Sequence, residues 1–583
     1  MSTRRRSVLV GLALTALFGL FMNLPGCERK PETQTTEQPL PPKVGILPDG
    51  ARPPDVILIL VDALRADRLG VYGNPQALSP TMDQLATEGV TFSFCQAQAP
   101  WTLPSVATLF TSFYPGVHKA LSYQVVESME QGKQAVQSVL SDQFITLAEV
   151  MQAGGFQTAG FVGAKFLRDG YGFGQGFDHY DTSFADNTVR GDQVNDAFLK
   201  WYDEKRDASK PMFVYLHYMD VHGPYNAAAR FMDPLTAEVE KNADKRPMEP
   251  KQMQRLNAYL RVPPPDATDP EQYDRLKIYR EYWVARYNAG VREMDYYLDQ
   301  LIQNLKQRGV WDNAYVILVA DHGEALCEHD LWEHGYSLYE TDLHVPMILR
   351  WPQALPTGKR VQRLAGLIDL MPTLVEQLHL TGPAKTQGVS LVDAMSDRLP
   401  EKPPLVKFAE GIKGGGAPQY GLFTDLTKLI VTYIPQRPQP DGTAQKPIVA
   451  YQLFNLGTDP GELFDISKQY SEHVGKMMGL IKKVIAENQA SRPGALAPPK
   501  AVEQSTIDAL ASLGYVGGAE EEEEELEEPV DQKAAPAPAE QPSEPEATVS
   551  IAPVTAQPTS QPTTQPATQP AGTPEKEPKE ETP

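Results

Sequence analysis

The sequence predicts an α/β protein: a large, mostly parallel central sheet between layers of helices, followed by a small C-terminal subdomain with a short antiparallel sheet. Three observations carry this. First, Val56-Ile57-Leu58-Ile59-Leu60-Val61 is a continuous apolar, β-branched run of the kind a strand covered on both faces needs, and Ala314 to Ala320 and Phe213 to His217 repeat it. Second, helical stretches lie between these runs. From Val291 to Arg308, for example, Met294, Leu298, Leu301, Ile302 and Leu305 recur at helical spacing. Strands alternating with helices give parallel neighbours with helices on both faces. Third, from about Pro404 to Ser467 the pattern changes to short strands and turns.

The chain has 583 residues, and it divides by composition. Residues 1–27 read as a leader: Arg4, Arg5 and Arg6 precede an apolar stretch from Ser7 to Met22. It ends in Leu24-Pro25-Gly26-Cys27, which resembles the lipobox of bacterial lipoproteins and implies lipid on Cys27; an uncleaved anchor or an ordinary signal peptide is the alternative. Either way the bulk of the protein is expected outside the cytoplasm, as a membrane-anchored lipoprotein of the periplasm or cell surface. Residues 28–54 are rich in Pro, Thr, Gln and Lys and read as a flexible tether. A catalytic domain is expected over 55–403, with a charged, proline-rich insertion at about 226–280 placed as a lid or side wall. The C-terminal subdomain follows over 404–518. Residues 519–583, with the run Glu520 to Glu525 and Gln-Pro-Thr/Ala repeats, cannot bury enough apolar surface to offset ordering and are expected to be disordered.

The formal charge is −22, and Ala519 to Pro583 carries −13 of it, from 16 acidic residues against three lysines. The rest is mildly acidic, with no basic stripe to displace counterions, which excludes a nucleic-acid partner. Three cysteines, Cys27, Cys95 and Cys327, form no CxxC pair, so neither a zinc ribbon nor a disulfide framework is available. Cys95 and Cys327 are left as buried thiols or one disulfide. Gly172-Phe173-Gly174-Gln175-Gly176 lacks the flanking strand and helix of a nucleotide loop and reads as a turn.

Acids, histidines and hydroxyls fall where a parallel sheet presents functional groups, just beyond the carboxyl ends of strands. Asp62 follows the first run, Asp321 and His322 follow the second, and Asp220 and His222 follow the third. Thr102, in Pro100-Trp101-Thr102-Leu103-Pro104-Ser105, stands at an expected helix start, where free N–H groups favour anions. Two aspartates and a histidine suit one divalent cation (Mn, Mg, Ca or Zn), and a threonine hydroxyl completing the set would become a nucleophile at neutral pH. His222 is a candidate for holding the anionic substrate. Asp220 is ambiguous between the site and its surroundings. His118, after Tyr114-Pro115, reaches the substrate or merely packs.

These segments resemble the sulfatase family of the alkaline-phosphatase superfamily. The match runs through Asp62-Ala63-Leu64-Arg65-Ala66-Asp67-Arg68-Leu69-Gly70, then Pro100 to Ser105 with Leu109 to Pro115, then Asp220 to Tyr225. It continues through Asp321-His322-Gly323-Glu324 up to His334-Gly335-Tyr336-Ser337-Leu338-Tyr339-Glu340, Val345-Pro346, Ile368 to Thr373, and Leu453 to Glu462. The resemblance implies that Asp62, Asp321 and His322 hold a metal with Thr102 as nucleophile and that His222 and His334 contact the substrate anion. It also places Lys165 near a catalytic lysine of the family, although the His-Leu-Gly that follows in the family is missing here.

Two departures bear on the chemistry. Thr102-Leu103-Pro104-Ser105-Val106 stands where sulfatases with formylglycine carry Cys/Ser-Xaa-Pro-Xaa-Arg, and Ala63 replaces the second acid of the usual Asp-Asp pair. Threonine cannot be oxidised to that aldehyde. The expectation drawn from this is hydrolysis or transfer of a phosphoric ester or diester through Thr102. A sulfuric ester hydrolase proper is the alternative, and a non-catalytic envelope scaffold is a further one. The expected partner is a small-molecule or envelope-polymer ester.

Overall fold

The structure is a computed structural model that describes residues 41–128, 132–185, 189–241, 270–398, 406–411, 417–424, 426–436 and 445–502. The leader with Cys27, the tail 519–583 and most of the insertion core lie outside the described residues. All described residues belong to one compact unit.

Eight strands form the central sheet: β1 Val56–Val61, β2 Val90–Gln96, β3 Gln157–Val162, β4 His179–Asp181, β5 Met212–Tyr218, β6 Tyr315–Val319, β7 Met347–Arg350 and β8 Lys359–Gly366. Their order is β8-β2-β7-β6-β1-β5-β3-β4. Every pairing is parallel except those of β7, which runs against both β6 and β2. The three runs singled out in sequence are therefore the three central strands, with Leu60 of β1 opposite His217 of β5 and Val319 of β6. All of β1, β5 and β6 is buried, which is why these strands are apolar without alternation. Their carboxyl ends lie side by side on one edge.

The helix expected from Val291 to Arg308 is longer: α2 runs Pro270–Gln307, after α1, Thr102–Thr111. Its N-terminal half escaped the apolar-spacing argument because aromatic residues hold it. Trp283 and Tyr287 meet Tyr225 at ring separations of 6.1 and 5.8 Å, and Trp283 meets Trp332 at 6.3 Å. Of the insertion, the described part includes the helix Ala229–Glu240, which packs on α2 through Phe231 and Tyr296 (5.5 Å).

The tether is shorter than expected. Val44, Gly45 and Leu47 donate backbone hydrogen bonds to Ser396 Oγ, the Ala354 carbonyl and the Gln377 carbonyl, and Leu47 is buried in the core. Its proline and charge content concealed this anchoring. Further on, β9 Val406–Gly411, β10 Gln419–Thr424, β11 Thr427–Ile434 and β12 Ile448–Asn455 form a four-stranded antiparallel sheet. The helix α3, Ser471–Ser491, covers it with Val474, Met477 and Ile481. Both Cys95 and Cys327 are free thiols, and no described helix is long and apolar enough to cross a membrane.

Candidate active site

The site forms where three parallel strands end together. Asp62 leaves β1 with its N–H bonded to the Tyr218 carbonyl of β5 at 2.9 Å. The chain then turns through Ala63, which has the left-handed φ of 60°. That turn aims the Ala63 N–H at Asp321 Oδ1 (3.3 Å), which also accepts from the His322 N–H at 3.0 Å. One oxygen of Asp321 thus orders the two loops and the other, Oδ2, is left facing inward. Arg65 ties the same loops by donating to the Glu324 carbonyl at 2.9 Å while pairing with Asp67 and Glu328.

Thr102 is the first residue of α1, so its hydroxyl sits at the positive end of a helix dipole. Its Oγ1 lies 3.3 Å from Asp62 Oδ2 and 3.3 Å from His322 Nε2. His322 Nδ1 engages the Gly323 carbonyl at 2.8 Å. That contact places a ring hydrogen on Nδ1 and turns Nε2 toward the carboxylates, 3.3 Å from Asp62 Oδ1 and 3.6 Å from Asp321 Oδ2. Three more imidazoles close the site. The His334 ring centre is 4.2 Å from that of His322 and 4.9 Å from that of His222, and His217 Nε2 is 3.6 Å from Asp62 Oδ2. His334 is held by Glu324, whose Oε1 accepts from Nδ1 at 3.0 Å.

Water is nearly excluded here, since Asp62, His217, Asp321, His322 and Thr102 are all buried. The protonation states follow from that. Burial alone would raise Asp62, but the surrounding His222, His322 and His217 hold its carboxyl well below the usual range. Burial and the nearby Asp62 charge push Asp321 up to about 7. Burial works against charge on His322, yet the two aspartates lift it to about 9. His217 is lowered to about 4 by burial, which Asp62 only partly opposes.

The donor set fits a divalent cation. Asp62 Oδ1, Asp321 Oδ2 and both ring nitrogens of His217 are buried and make no hydrogen bond among the described residues. Donor atoms of Asp62, His217 and Asp321 all lie within 4.8 Å of one another. Buried carboxylate oxygens without partners are costly unless positive charge completes them.

Of the other candidates, Asp220 Oδ1 accepts from the Gly191 N–H at 2.9 Å, at the start of the helix Gly191–Lys205, and its Oδ2 has no hydrogen-bond partner among the described residues. Burial, not a site partner, raises its pKa to about 7. His118 is packed in the core with both ring nitrogens engaged, Nε2 with Thr108 Oγ1 (3.0 Å) and Nδ1 with the Ala120 N–H (3.1 Å). Lys165 lies half-buried in the turn after β3, beside Phe166, whose ring meets Trp101 at 6.1 Å. Glu324 is buried, and burial pushes its carboxyl well above the usual range. His217 was missed altogether. As the next-to-last residue of an apolar run it reads as strand filler, and its only sequence signal is a polar ring at a strand end that also leads into Asp220 and His222.

A parallel α/β sheet whose carboxyl edge gathers two acids, a hydroxyl at a helix start and several imidazoles defines the class of hydrolases that act on tetrahedral anionic esters. The family model for sulfatases matches residues 54–380, and that for the C-terminal region of N-sulphoglucosamine sulphohydrolase matches 327–489. The chain belongs to the sulfatase family. It is 22% identical over 409 residues to the arylsulfatase of Clostridium perfringens, covering 59% of this chain and 79% of that one. Among solved structures it resembles a protein in complex with its substrate D-glucosamine-2-N,6-O-disulfate, with a TM-score of 0.58, 19% identity, and 75% of this chain against 99% of the other. It also resembles the phosphonate monoester hydrolase of Agrobacterium radiobacter, with a TM-score of 0.54, 19% identity, and 77% against 100%. The chain is thus a sulfatase-family ester hydrolase. Between sulfur and phosphorus, the comparisons favour the sulfate-ester alternative over the phosphoester reading that Thr102 suggested.

Proposed function

We propose that the protein hydrolyses sulfuric esters, with the Thr102 hydroxyl as nucleophile. The observation that carries this is the placement of Thr102 Oγ1 at 3.3 Å from both Asp62 and His322, inside a family whose arylsulfatase relative aligns over most of its length. A divalent cation held by Asp62, Asp321 and His322 would supply the charge that lowers the hydroxyl pKa and offsets the ester's negative oxygens. The chain's own groups do the rest. The Thr102 oxygen, giving its proton to the carboxylate–imidazole cluster, attacks sulfur. The bond from sulfur to the alcohol oxygen breaks, and His222 or His334 protonates the departing alcohol. Water then attacks the sulfur of the threonine ester, releasing hydrogen sulfate and restoring the hydroxyl. Glu324 fixes the His334 ring so that its other nitrogen faces the anion.

The alternative, a phosphoric ester or diester, draws on one observation: the chain has none of the Cys/Ser-Xaa-Pro-Xaa-Arg machinery of formylglycine enzymes. Release of p-nitrophenol from aryl sulfate, phosphomonoester and phosphodiester substrates separates the two. The expected result is sulfate cleavage that falls at least about 10³-fold in Thr102→Ala. Cleavage of the phosphorus esters alone would overturn the choice of sulfur, and activity surviving in Thr102→Ala would remove the nucleophile. The fold's resemblance to a sulfated-glucosamine complex makes a sulfated sugar, free or in an envelope polymer, the first natural substrate class to try. We further place the enzyme outside the cytoplasm, anchored by lipid on Cys27. Metabolic labelling with a fatty acid should mark the chain and fail to mark Cys27→Ser; equal labelling of both would end that assignment.

A further inference from the structure

His217 has no part in the mechanism proposed for Asp62, Asp321, His322 and Thr102, yet it lies in the donor cluster at the centre of the site. A histidine buried for packing alone keeps its ring nitrogens hydrogen-bonded, as His118 does. Neither ring nitrogen of His217 finds a hydrogen-bond partner on another described residue, and its Nε2 stands 3.6 Å from Asp62 Oδ2. That is too far for a hydrogen bond. It is also poor geometry for a simple ion pair, since Asp62 is already approached by Thr102 and His322 at 3.3 Å.

The same separation suits two donors sharing one cation. With metal–ligand bonds of about 2.1 to 2.5 Å, neighbouring donors lie roughly 3.0 to 3.5 Å apart around a five- or six-coordinate ion. The contacts among Thr102 Oγ1, Asp62, Asp321, His322 Nε2 and His217 Nε2 run from 3.3 to 3.6 Å. We infer that His217 is a ligand of the active-site cation, entering from β5 beside Asp62 and Asp321. The centre then has two carboxylates, two imidazoles and the Thr102 hydroxyl. This inference rests on the reading of the Thr102 cluster as a cation-assisted hydrolytic centre.

The consequence is a choice of ion. Purely oxygen-lined sites suit Ca²⁺ and Mg²⁺, whereas imidazole nitrogens favour transition cations such as Mn²⁺ and Zn²⁺. A second imidazole moves this site toward the latter.

The test is pulsed EPR of the stripped full chain reloaded with Mn²⁺, counting directly coordinated imidazole nitrogens, together with binding isotherms for Mn²⁺ and Ca²⁺. Two nitrogens are expected in the wild type and one in His217→Gln. Mn²⁺ affinity should drop at least tenfold in that variant, and Ca²⁺ should bind the wild type at least tenfold more weakly than Mn²⁺. One nitrogen in the wild type, two persisting in His217→Gln, Ca²⁺ binding as tightly as Mn²⁺, or no Mn²⁺ uptake would each overturn the inference. The wild-type count decides the matter even if the variant does not fold. A one-nitrogen spectrum from protein that still cleaves esters removes His217 alone, while loss of both Mn²⁺ uptake and turnover removes the hydrolytic reading with it.

Discussion

His118 and His217 are both sealed from solvent, at 1% and 0% exposure, and both are held neutral by burial. What separates them is partnership. The Ala120 N–H donates to His118 Nδ1, so Nε2 carries the hydrogen and donates to Thr108 Oγ1; both edges of the ring are satisfied within one short stretch of chain. His217 has no partner for either nitrogen on another described residue and has a carboxylate at 3.6 Å. The same contrast separates the acids. Asp369 is buried, but Gly366 N, Val389 N and Lys407 Nζ all donate to it, and this ties β9 of the C-terminal sheet to the body. Asp62 and Asp321 are buried side by side with like charge and unfilled oxygens. A fully paired buried polar group stabilises a fold, whereas a cluster of underpaired ones stores the capacity to bind something.

Cation removal should break this contrast most visibly. If an ion occupies the underpaired cluster at about 100-fold over its dissociation constant, it contributes roughly 2.7 kcal/mol, and chelation should lower the melting temperature by several degrees. The effect has a pH sign. In the ion-free protein Asp321 is raised to about 7 from an ordinary value of 3.8. A raised acid contributes stability that is complete below 3.8 and is lost as pH climbs through 7. Chelator-treated protein should therefore weaken between about pH 4 and 7 while loaded protein does not, and the gap between the two melting curves should be wider at pH 8 than at pH 4. An equal melting temperature with and without chelator at pH 8 would remove the contrast between the two regions.

How far the sequence reveals these regions depends on where each residue sits. Asp62, Thr102, Asp321 and His322 are legible because each directly follows an apolar run or opens a helix, and a parallel sheet brings such positions to one edge. The antiparallel sheet of 406–455 was legible from its short strands and turns. His217 was not, since it lies inside a run whose neighbours are all buried, and no periodicity tells which face of a central strand meets the site. His118 was left open between substrate contact and packing. Chemically it is a site residue by type, but the chain curls back within two residues to satisfy it, a local contact that spacing does not show. Asp220 stayed ambiguous similarly, because an acid beyond a strand end can face the cleft or a helix start, and here its Oδ1 accepts from Gly191. The anchoring of residues 43–47 depends on contacts more than 300 residues away, with Gln377 and Ser396, which composition cannot report.

The smaller effect concerns the satisfied histidine. In His118→Leu the volume is kept, but the Ala120 N–H and the Thr108 hydroxyl lose their partner, a cost of about 2 kcal/mol at neutral pH. Turnover per folded molecule should be unchanged, because nothing in the site touches this ring. The acid side then runs the other way. Burial, with the neighbouring Lys119 charge, holds His118 near 3 against an ordinary 6.5. A depressed group contributes stability that is present above 6.5 and is lost as pH falls toward 3. The wild type should thus lose stability between pH 6.5 and 4 faster than His118→Leu, and the two curves should converge as acid is added. Chemical denaturation at pH 7, 5.5 and 4 measures this directly. Parallel curves would mean that the imidazole is not held neutral by burial, and a fall in turnover would return His118 to the active site, leaving the degree of partnership unable to tell a packing histidine from a working one.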